Sequence, residues 1–247
     1  MRPTVLKVSM QTLLRNAAAL RARIPGSVRM LCVVKADAYG HGALSFALEL
    51  EKHGLADAFA VAVVEEARVL REGGVRGMIV ILGGAGEESL REAVRLNVSQ
   101  AVYEPDTLRI LEDEAKRLGV TAKAHLKVDS GMSRIGVRHM CELDELLEVW
   151  KDCPNVEMEG CFTHFCVAET EPDFTEEQND TFIKMLDRIH RAGFNPVAHA
   201  AASSAMLDGR YQHDMVRAGI GLYGSCMPEM GNEIRHAQTL LTRPVRI

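Results

Sequence analysis

Residues 58–82 read AFAVAVVEEARVLREGGVRGMIVIL and contain two apolar runs separated by a charged, amphipathic stretch. The runs at 58–63 and 78–82 are short and rich in apolar residues, as buried strands are, whereas the segment between them is typical of a helix. A strand, a helix and a second strand in this order predict a βαβ unit, in which the two strands are parallel.

The same alternation continues on both sides of this unit from residue 30 onward. We predict eight strands, separated by amphipathic stretches of about ten to fifteen residues, which is the pattern of repeated βα units. Eight such units in a chain of 247 residues predict an α/β fold of the (β/α)8 TIM-barrel type. The predicted strands are Met30–Val34, Ala58–Val63, Met78–Leu82, Gln100–Val102, Ala122–Val128, Val156–Thr163, Pro196–Ala200 and Met215–Ala218.

Three helices have recognisable boundaries in the sequence. Residues 9–23 place leucines and alanines at helical spacing before the first barrel strand. Pro105 suits the first turn of a helix that runs towards Gly119. The residues 175–178, TEEQ, form the pattern of a capping box and predict the start of a helix that ends before Gly193.

The tail differs from the rest of the chain. After Gly224 helical periodicity is lost, and Leu241, Val245 and Ile247 alternate as they would in an extended strand. We therefore expect a barrel domain over residues 1–224, and over 225–247 the start of a linker or first strand towards a further domain. A chain that stops inside a hydrophobic alternation also suggests a shortened piece of a longer protein.

Composition excludes several classes of protein. With 47% apolar and 26% charged residues, the chain has globular rather than disordered composition. The 29 basic and 34 acidic residues give a net charge of −5, without the basic excess that nucleic acid requires. The longest apolar run, 58–64, is too short to span a bilayer, and no secretory signal is recognisable. We expect a cytosolic protein.

The cysteines do not indicate disulfides or metal. Six cysteines without a CxxC pair are typical of reduced, buried thiols. Cys161 and Cys166 flank His164, but a second ligand pair at the spacing of a zinc site is missing. We expect no metal ion.

The segment VVKADAYGHG, 33–42, is the first that points to chemistry. It places Lys35 at the carboxyl end of a barrel strand, on the face where barrel active sites are built, and a desolvated lysine there can act as a nucleophile. A lysine whose stem packs along a strand end is the alternative. The hydroxyl of Tyr39, the ring of His41 and the glycines at 40 and 42 favour a binding site.

Five motifs in order resemble the alanine racemase family, the fold-type III enzymes that depend on pyridoxal 5′-phosphate (PLP). They are VVKADAYGHG at 33–42, KVDSGMSRIG at 127–136, EGCFTHF at 159–165, VAHAAASSAML at 197–207 and DMVRAGIGLYG at 214–224. The resemblance covers nearly the whole chain and implies a TIM barrel whose usual C-terminal β-domain is absent or truncated. It also implies interconversion of L- and D-alanine, which supplies D-alanine for peptidoglycan, and a homodimer for the full-length protein.

The resemblance implies that Lys35 forms the Schiff-base link to PLP and then acts as one of two acid–base groups at the substrate α-carbon. Racemisation needs two groups, since a proton removed from one face must be returned on the other. In this family the second group is a tyrosine from the C-terminal domain of the partner subunit, and no matching tyrosine motif occurs here. We therefore expect the chain alone to racemise alanine weakly or not at all.

The remaining site residues follow from the same motifs. The resemblance implies that Ser203, Gly219, Ile220 and the hydroxyl of Tyr39 bind the cofactor phosphate, where the alternative for the glycines is turn geometry. Arg217 would donate to the pyridine nitrogen, and because a guanidinium does not give up its proton, that nitrogen would stay unprotonated and a weaker electron sink. His164 would orient Arg217, although a lone histidine is more often a core residue.

Arg134 and Lys127 complete the implied site. Arg134 would contact the phenolic oxygen of PLP and the substrate carboxylate. Lys127 corresponds to a lysine that is carbamylated in many members, and a salt-bridged surface lysine is its alternative. Where many members have an asparagine, this chain has Ala202, so that one hydrogen bond near the phosphate is missing unless Ser204 provides it.

Three other functions are consistent with parts of the sequence. Gly84-x-Gly86-x-x-Ser89 resembles a dinucleotide fingerprint, but Glu87 and Glu88 in the following helical turn would repel a pyrophosphate. A serine or broad-specificity racemase is an alternative, because much of the substrate pocket would come from the further domain. A non-catalytic single-domain PLP-binding protein is the third.

Overall fold

The computed structural model describes residues 4–225 and 227–243. Eight parallel strands, β2 to β9, form one sheet in the order β8-β7-β6-β5-β4-β3-β2-β9. Arg29 of β2 is paired with Met215 of β9. The barrel closes between β8 and β9, where the Arg217 N–H donates to the Ala201 carbonyl at 2.9 Å and residues 202 and 217 form an isolated bridge.

The barrel strands are β2 Arg29–Val33, β3 Ala58–Val61, β4 Met78–Ile81, β5 Ser99–Val102, β6 Ala122–Lys127, β7 Val156–Phe162, β8 Val197–His199 and β9 Met215–Ala218. The helices are α1 Met10–Ala22, α2 Lys35–Gly40, α3 Ala43–Lys52, α4 Val64–Glu72, α5 Glu87–Arg95, α6 Pro105–Leu118, α7 Met140–Lys151 and α8 Pro172–Arg191. Short 3₁₀ turns cover Gly209–Tyr211, Ile220–Tyr223 and Pro228–Glu233, and β1 Val5–Val8 and β10 Gln238–Leu241 form a separate antiparallel pair.

The closed sheet confirms the predicted TIM barrel, and all eight predicted strands are present. Several predicted strands extend too far at the carboxyl end: the strand predicted over 58–63 ends at Val61, and the one over 156–163 ends at Phe162. The reason is that the chain leaves the ladder there to form loops on one rim of the barrel, although residues such as Ala62 and Val63 are as apolar as the strand before them. A closed barrel also rules out the open sheet that a dinucleotide fingerprint requires.

The predicted capping box at Thr175 is wrong. Helix α8 begins earlier, at Pro172, and Thr175 is a buried residue inside its first turns. The Thr175 hydroxyl donates to the carbonyl of Glu171 at 2.8 Å instead of capping an N–H group. Proline in the first turn was the usable sequence signal, as it was for α6, which begins at Pro105 and is capped after Leu118 by Gly119 with φ +67°.

The tail returns to the barrel over the described residues 227–243. Asn16 of α1 donates to the carbonyls of Leu222 and Arg235, and the Gln238 side chain donates to the Gly40 carbonyl at 3.0 Å. Leu241 lies in a strand, as its alternation indicated, whereas Val245 and Ile247 lie outside the described residues. The boundary at 224 stays a prediction.

The core has two parts. The larger part lies between the sheet and the surrounding helices and includes the buried Trp150, Phe46 and Phe182. Inside the barrel, the apolar part comes from β2, β3, β4 and β9 and consists of Leu31, Val33, Ala58, Ala60, Val80 and Met215. The opposite half of the interior is polar and contains His125, His199 and Arg217. None of the helices within the described ranges has the length and apolar character needed to cross a bilayer.

A β-bulge in β7 makes room for this polar half. Ala124 is paired with Met158 and His125 with Gly160, so that Glu159 is the extra residue of β7. A Cβ atom on Gly160 would lie 2.3 Å from Nδ1 of His125. The bulge therefore brings a carboxylate beside the imidazole, and the glycine provides the space that the ring occupies.

We predict that Gly160→Ala destabilises the fold by about 1–3 kcal/mol, the usual cost of overpacking a core. His125 is completely buried and cannot move away from the added methyl group. Urea unfolding followed by circular dichroism measures the change. Gly26→Ala is the matched control, because a Cβ atom there meets nothing within 4 Å. Equal stability of the two variants would contradict the steric role of Gly160.

Candidate active site

A cavity of about 540 Å³ opens at the carboxyl ends of the barrel strands. Nine residues predicted for the site line it, although they come from five separate motifs, whereas the ring of His41 packs on Tyr223 with ring centres 4.7 Å apart. The nine lining residues are Lys35, Tyr39, Lys127, Arg134, His164, Ser203, Arg217, Gly219 and Ile220. Ala202, which stands where many members have asparagine, lines the same cavity, and so does Ser204, the residue expected to replace its hydrogen bond.

Lys35 begins a left-handed helical turn. The four residues from Ala36 to Tyr39 have φ between 51° and 54°, so that α2 is left-handed. Residues with a Cβ atom pay roughly 1–2 kcal/mol each for this conformation. The turn brings Lys35 and Tyr39, four residues apart, to the wall of one cavity. The sequence indicated close backbone approach through glycines but not a left-handed turn of four other residues.

Two carboxylates hold this turn in place. Glu66 accepts from the Ala36 N–H at 2.6 Å and from the Ala62 N–H at 2.7 Å, which ties α2 to the end of β3. Asp37 accepts from the Ala43 N–H at 2.7 Å and so joins the turn to the start of α3. The sequence analysis missed both residues. Asp37 lies within the lysine motif and could have been singled out, whereas Glu66 has no local signal.

Arg217 is a buried cation held without a carboxylate. Its Nη1 donates to Nδ1 and the carbonyl oxygen of His199, at 3.1 and 3.0 Å. Its Nη2 donates to the carbonyls of Thr163 and Ala200, both at 2.7 Å. Within the described part of the chain no carboxylate forms an ion pair with it. Burial, with help from the charge of Arg134, lowers its pKa to about 9. Among the described residues Nε–H has no acceptor, so it is the donor left for a ligand.

His164 contacts Arg217 as the motif comparison implied. Its Nδ1 lies 3.1 Å from Nη2 of Arg217, whose two N–H groups it shares with the Thr163 and Ala200 carbonyls; because a guanidinium only donates, Nδ1 is the acceptor and the ring proton is on Nε2. Burial first, and then the positive charge of Arg217, lower the pKa of His164 to about 3. The ring is therefore neutral near pH 7, and it serves as a hydrogen-bond acceptor for the guanidinium rather than as a second cation.

Lys127 lies deep in the cavity wall. Its side chain is buried, and its Nζ donates to the Val128 carbonyl and lies 5.4 Å from the ring centre of Phe162. Burial and the charge of Arg217 lower its pKa to about 7. A surface or salt-bridged lysine, the alternative considered from sequence, does not match this position. Near neutral pH a large fraction of the Lys127 amines is uncharged.

The loop 128–137 presents Arg134 through Asp129. The Asp129 carboxylate accepts from the backbone N–H groups of Gly131, Ser133 and Arg134 at 3.2, 2.9 and 2.9 Å. Burial alone would raise the pKa of Asp129, but these three bonds lower it below its ordinary value. Asp129 was not singled out from the sequence, and its position within the motif was the available signal. The Arg134 side chain is exposed at the cavity rim.

Ser203 organises the loop after β9. Its Oγ accepts from the N–H groups of Gly219 and Gly221 at 2.9 and 3.1 Å, and the hydroxyl proton is left free to donate. Gly219 lines the cavity, but its N–H is already bound to Ser203. The N–H group of Gly219 is therefore not free for the phosphate that the motif comparison implied Gly219 would bind. The neighbouring residue Ile220 is the first residue of a 3₁₀ turn. Its N–H group therefore has no acceptor within that turn and can donate to a ligand.

The cavity therefore favours an anionic ligand. Lys35, Arg134 and Arg217 bring positive charge to its wall, and Lys127 adds part of another. Glu169 is the carboxylate that also lines it among the described residues. Fold and site together define a (β/α)8 barrel with one cavity suited to an anion. The amine of Lys35, the buried guanidinium of Arg217 and the guanidinium of Arg134 at the rim all line this cavity.

Comparison with known proteins identifies the family. The chain belongs to the alanine racemase family, since residues 8–227 match the model described as "Alanine racemase, N-terminal domain". Alanine racemase 1 of Oceanobacillus iheyensis is 36% identical over 249 residues, which cover 98% of this chain and 66% of that protein. The chain thus spans somewhat less than two thirds of the length of curated relatives such as this one and alanine racemase 2 of Caldanaerobacter subterraneus, at 65%.

Solved structures agree with this assignment. An alanine racemase of Clostridium difficile 630 in complex with cycloserine has a TM-score of 0.90 at 32% identity, over 96% of this chain and 67% of that one. A histidine racemase of Leuconostoc mesenteroides subsp. sake has a TM-score of 0.85 at 25% identity, over 97% and 65%. Proteins named for two different amino acids therefore share this barrel.

We predict that His164 makes stability pH-dependent between about pH 6.5 and pH 3. Because the pKa of His164 is lowered to about 3 in the folded state, the unfolded chain binds a proton first as the pH falls. The folded state therefore loses stability below pH 6.5. In His164→Asn, whose side-chain oxygen can still accept from Arg217, the loss between pH 7 and pH 5 should be smaller.

Urea unfolding midpoints at pH 7 and pH 5 measure this effect. The control variant is His190→Asn, because His190 is exposed on α8. His199 contributes a pH dependence of the same sign, because burial and Arg217 also lower its pKa. The difference between variants, rather than the slope itself, isolates His164. An unchanged slope in His164→Asn would contradict the prediction.

Proposed function

We propose that this chain forms the cofactor-binding part of a PLP-dependent amino-acid racemase that interconverts L- and D-alanine. The observation that carries the proposal is the shared cavity of Lys35 and Arg217: an amine at the end of β2 faces the same space as a buried guanidinium without a carboxylate partner. Family membership supports the reaction class. The product D-alanine would serve peptidoglycan synthesis.

The residues present fit PLP. The phosphate would be bound by the hydroxyls of Ser203 and Tyr39 and by the loop at Gly219 and Ile220, which together form a neutral, donor-rich wall. The free Nε–H of Arg217 would donate to the pyridine nitrogen, and Arg134 would reach the phenolic oxygen. When bound, PLP supplies an electron sink that makes the α-proton of an attached amino acid labile.

The protein side of the chemistry rests on Lys35. Its amine would hold the cofactor covalently and, once released, would move a proton at the substrate Cα on one face. Arg217 keeps its own proton, since even a pKa of about 9 leaves it protonated at neutral pH. It therefore donates a hydrogen bond without passing on a proton, which restrains charge delocalisation and favours simple proton return over side reactions.

The second acid–base group is proposed to be a tyrosine supplied from outside the described residues by a partner subunit. The chain spans less than two thirds of relatives such as that of Oceanobacillus iheyensis, so that the reaction of the whole protein and its homodimer are proposals here. The substrate is also open to a second candidate. Since a histidine racemase shares the barrel, a serine or broad-specificity racemase is consistent with the same cofactor site.

Lys127 is proposed to be carbamylated. The uncharged amine attacks CO₂ to form a carbamate and releases one proton, so that a buried cation becomes an anion. The lowered pKa of about 7 provides the uncharged amine at neutral pH. The guanidinium groups of Arg217 and Arg134 both lower the pKa of Lys127. The carbamate would lie beside these two groups and would orient Arg134.

We predict that Lys35→Ala abolishes covalent attachment of PLP. The purified chain, incubated with PLP and reduced with borohydride, should carry a pyridoxyl phosphate mass on the peptide that contains Lys35. Lys52→Ala, at an exposed lysine of α3, is the control and should label normally. Labelling of Lys35→Ala to the same extent at another lysine would contradict the assignment of Lys35.

We predict that the chain alone, loaded with PLP, exchanges the α-hydrogen of one alanine enantiomer with solvent much faster than it racemises it. One base returns a solvent proton to the face from which it took the first. Alanine incubated in D₂O is analysed by mass spectrometry and chiral chromatography. Racemisation as fast as exchange would show that a second acid–base group is already present, whereas PLP binding without any exchange would favour a non-catalytic PLP-binding protein.

We predict a carbamate at Lys127. After equilibration with ¹³C-bicarbonate at pH 8, where more of the Lys127 amine is uncharged than at pH 6, a ¹³C carbamate resonance should appear and should weaken at the lower pH. The signal should be absent from Lys127→Met and present in Lys123→Met, the variant of the half-exposed lysine on the same strand. A resonance that survives in Lys127→Met would assign it elsewhere.

A further inference from the structure

A line of hydrogen bonds runs through the polar half of the barrel and ends at Arg217. Glu159 lies 3.4 Å from Nε2 of His125, and Nδ1 of His125 lies 2.9 Å from Nε2 of His199. Nδ1 of His199 then lies 3.1 Å from Nη1 of Arg217. These contacts connect β7, β6, β8 and β9 across the interior, and none of the site motifs required Glu159, His125 or His199 to bind a ligand.

The direction of each hydrogen bond follows from the arginine. A guanidinium can only donate, so Nδ1 of His199 must accept, and its proton is on Nε2. Nε2 of His199 therefore donates to Nδ1 of His125, whose proton is on Nε2 and points to the Glu159 carboxylate. Both imidazoles are neutral in this arrangement, and each of their nitrogens has one partner.

Packing keeps both rings in these positions. Phe162 stacks on His199 with ring centres 4.9 Å apart and planes 7° apart. His125 occupies the space above Gly160, and both histidines are completely buried. Neither ring can turn over without leaving a buried nitrogen unpaired, which costs about 1–3 kcal/mol. The tautomers are therefore set by the groups at the two ends of the line.

Glu159 is held as an anion at the far end. The Ser99 hydroxyl donates to it, and Nζ of Lys123 lies 3.2 Å from its other oxygen. Burial alone would raise the pKa of Glu159, but the bonds from His125 and Ser99 and the charge of Lys123 lower it to about 2. Burial and Arg217 lower the pKa of His199 well below its ordinary value.

We propose that Glu159 is a positioning residue that, from the end of the line opposite Arg217, holds the proton of His125 on Nε2, so that Nδ1 of His125 accepts from His199 and the orientation of the Arg217 guanidinium towards the cavity is fixed. The inference rests on the proposed function only in giving Arg217 a cofactor to face. Glu159 contacts neither the cavity nor Arg217, and it acts through the two rings. Removing its acceptor oxygen frees His125 to place its proton on Nδ1, which opposes the Nε2–H of His199.

The test compares three variants on strand β7. Glu159→Met removes the acceptor at similar volume, and Glu159→Gln keeps an oxygen that can accept from His125. Glu157→Met is the control, because Glu157 is exposed two residues earlier on the same strand. Long-range ¹H–¹⁵N NMR on the ¹⁵N-histidine-labelled chain without PLP reports which ring nitrogens carry protons. PLP dissociation constants are measured on the same samples.

Nδ1 of both His125 and His199 should be unprotonated in three samples, which are the unaltered chain, the Glu159→Gln variant and the Glu157→Met variant. Glu159→Met should show mixed tautomers at His125 and an increase of about tenfold in the PLP dissociation constant. Glu159→Gln should recover most of that loss. A purely structural role would lower stability in Glu159→Met without changing the tautomers.

Unchanged tautomers in Glu159→Met would overturn the proposal, and so would altered tautomers with unaltered PLP affinity. If Glu159→Met does not fold, a proton on Nδ1 of His199 in the unaltered chain or in Glu159→Gln would overturn it equally. Failure of the unaltered chain to bind PLP would instead count against the proposed function, and the tautomers would then decide the hydrogen-bond line by themselves.

Discussion

The arrangement of polar groups at the carboxyl end of the barrel depends on the buried charge of Arg217. A guanidinium removed from water needs acceptors for its N–H groups, and a carboxylate would neutralise the charge that a ligand is to meet. Backbone carbonyls from the ends of β7 and β8 and two imidazole nitrogens provide the acceptors instead. Those acceptors are possible only if both histidines stay neutral, which burial ensures.

A second constraint is the shape of the chain at Lys35. Four residues in left-handed conformation are unfavourable by roughly 4–8 kcal/mol together, and contacts from three other parts of the chain oppose that cost. Glu66 binds the start of the turn, Asp37 joins it to α3, and Gln238 binds its end at Gly40. Strain of this kind persists at functional sites when the surroundings over-determine the conformation.

The sequence analysis predicted the barrel because strands buried on both faces are short apolar runs, and the alternation of these runs with helices is a local property. All eight strands and the lysine at the end of β2 follow from it. The structure also brings residues from all five motifs to one cavity. What failed was local detail: the capping pattern at Thr175 lost to Pro172, and strand ends ran into apolar loops.

Two of the residues that sequence reasoning missed, Glu66 and Glu159, act over long separations or through a bulge, whereas Asp37 and Asp129 act within their own motifs. Glu66 supports a turn 30 residues away, and Glu159 reaches His125 only because a bulge adds one residue to β7. Glu159 is followed by a glycine and a short apolar run, so the alternation of residues in β7 does not reveal that one residue is inserted there. The left-handed turn was hidden for a similar reason, because alanine and tyrosine do not indicate positive φ.

The hydrogen bond from Gln238 to Gly40 has a mechanical consequence. Strand β10 pairs with β1 and has exposed leucines at 240 and 241, so it belongs to the surface of the molecule, yet one side chain on it holds the last carbonyl of the lysine turn. The hydrogen bond between the Gln238 side-chain amide and the Gly40 carbonyl therefore links β10 to the backbone turn that begins at Lys35. A displacement of β10 at the surface would therefore pull on the turn that places Lys35 in the cavity wall.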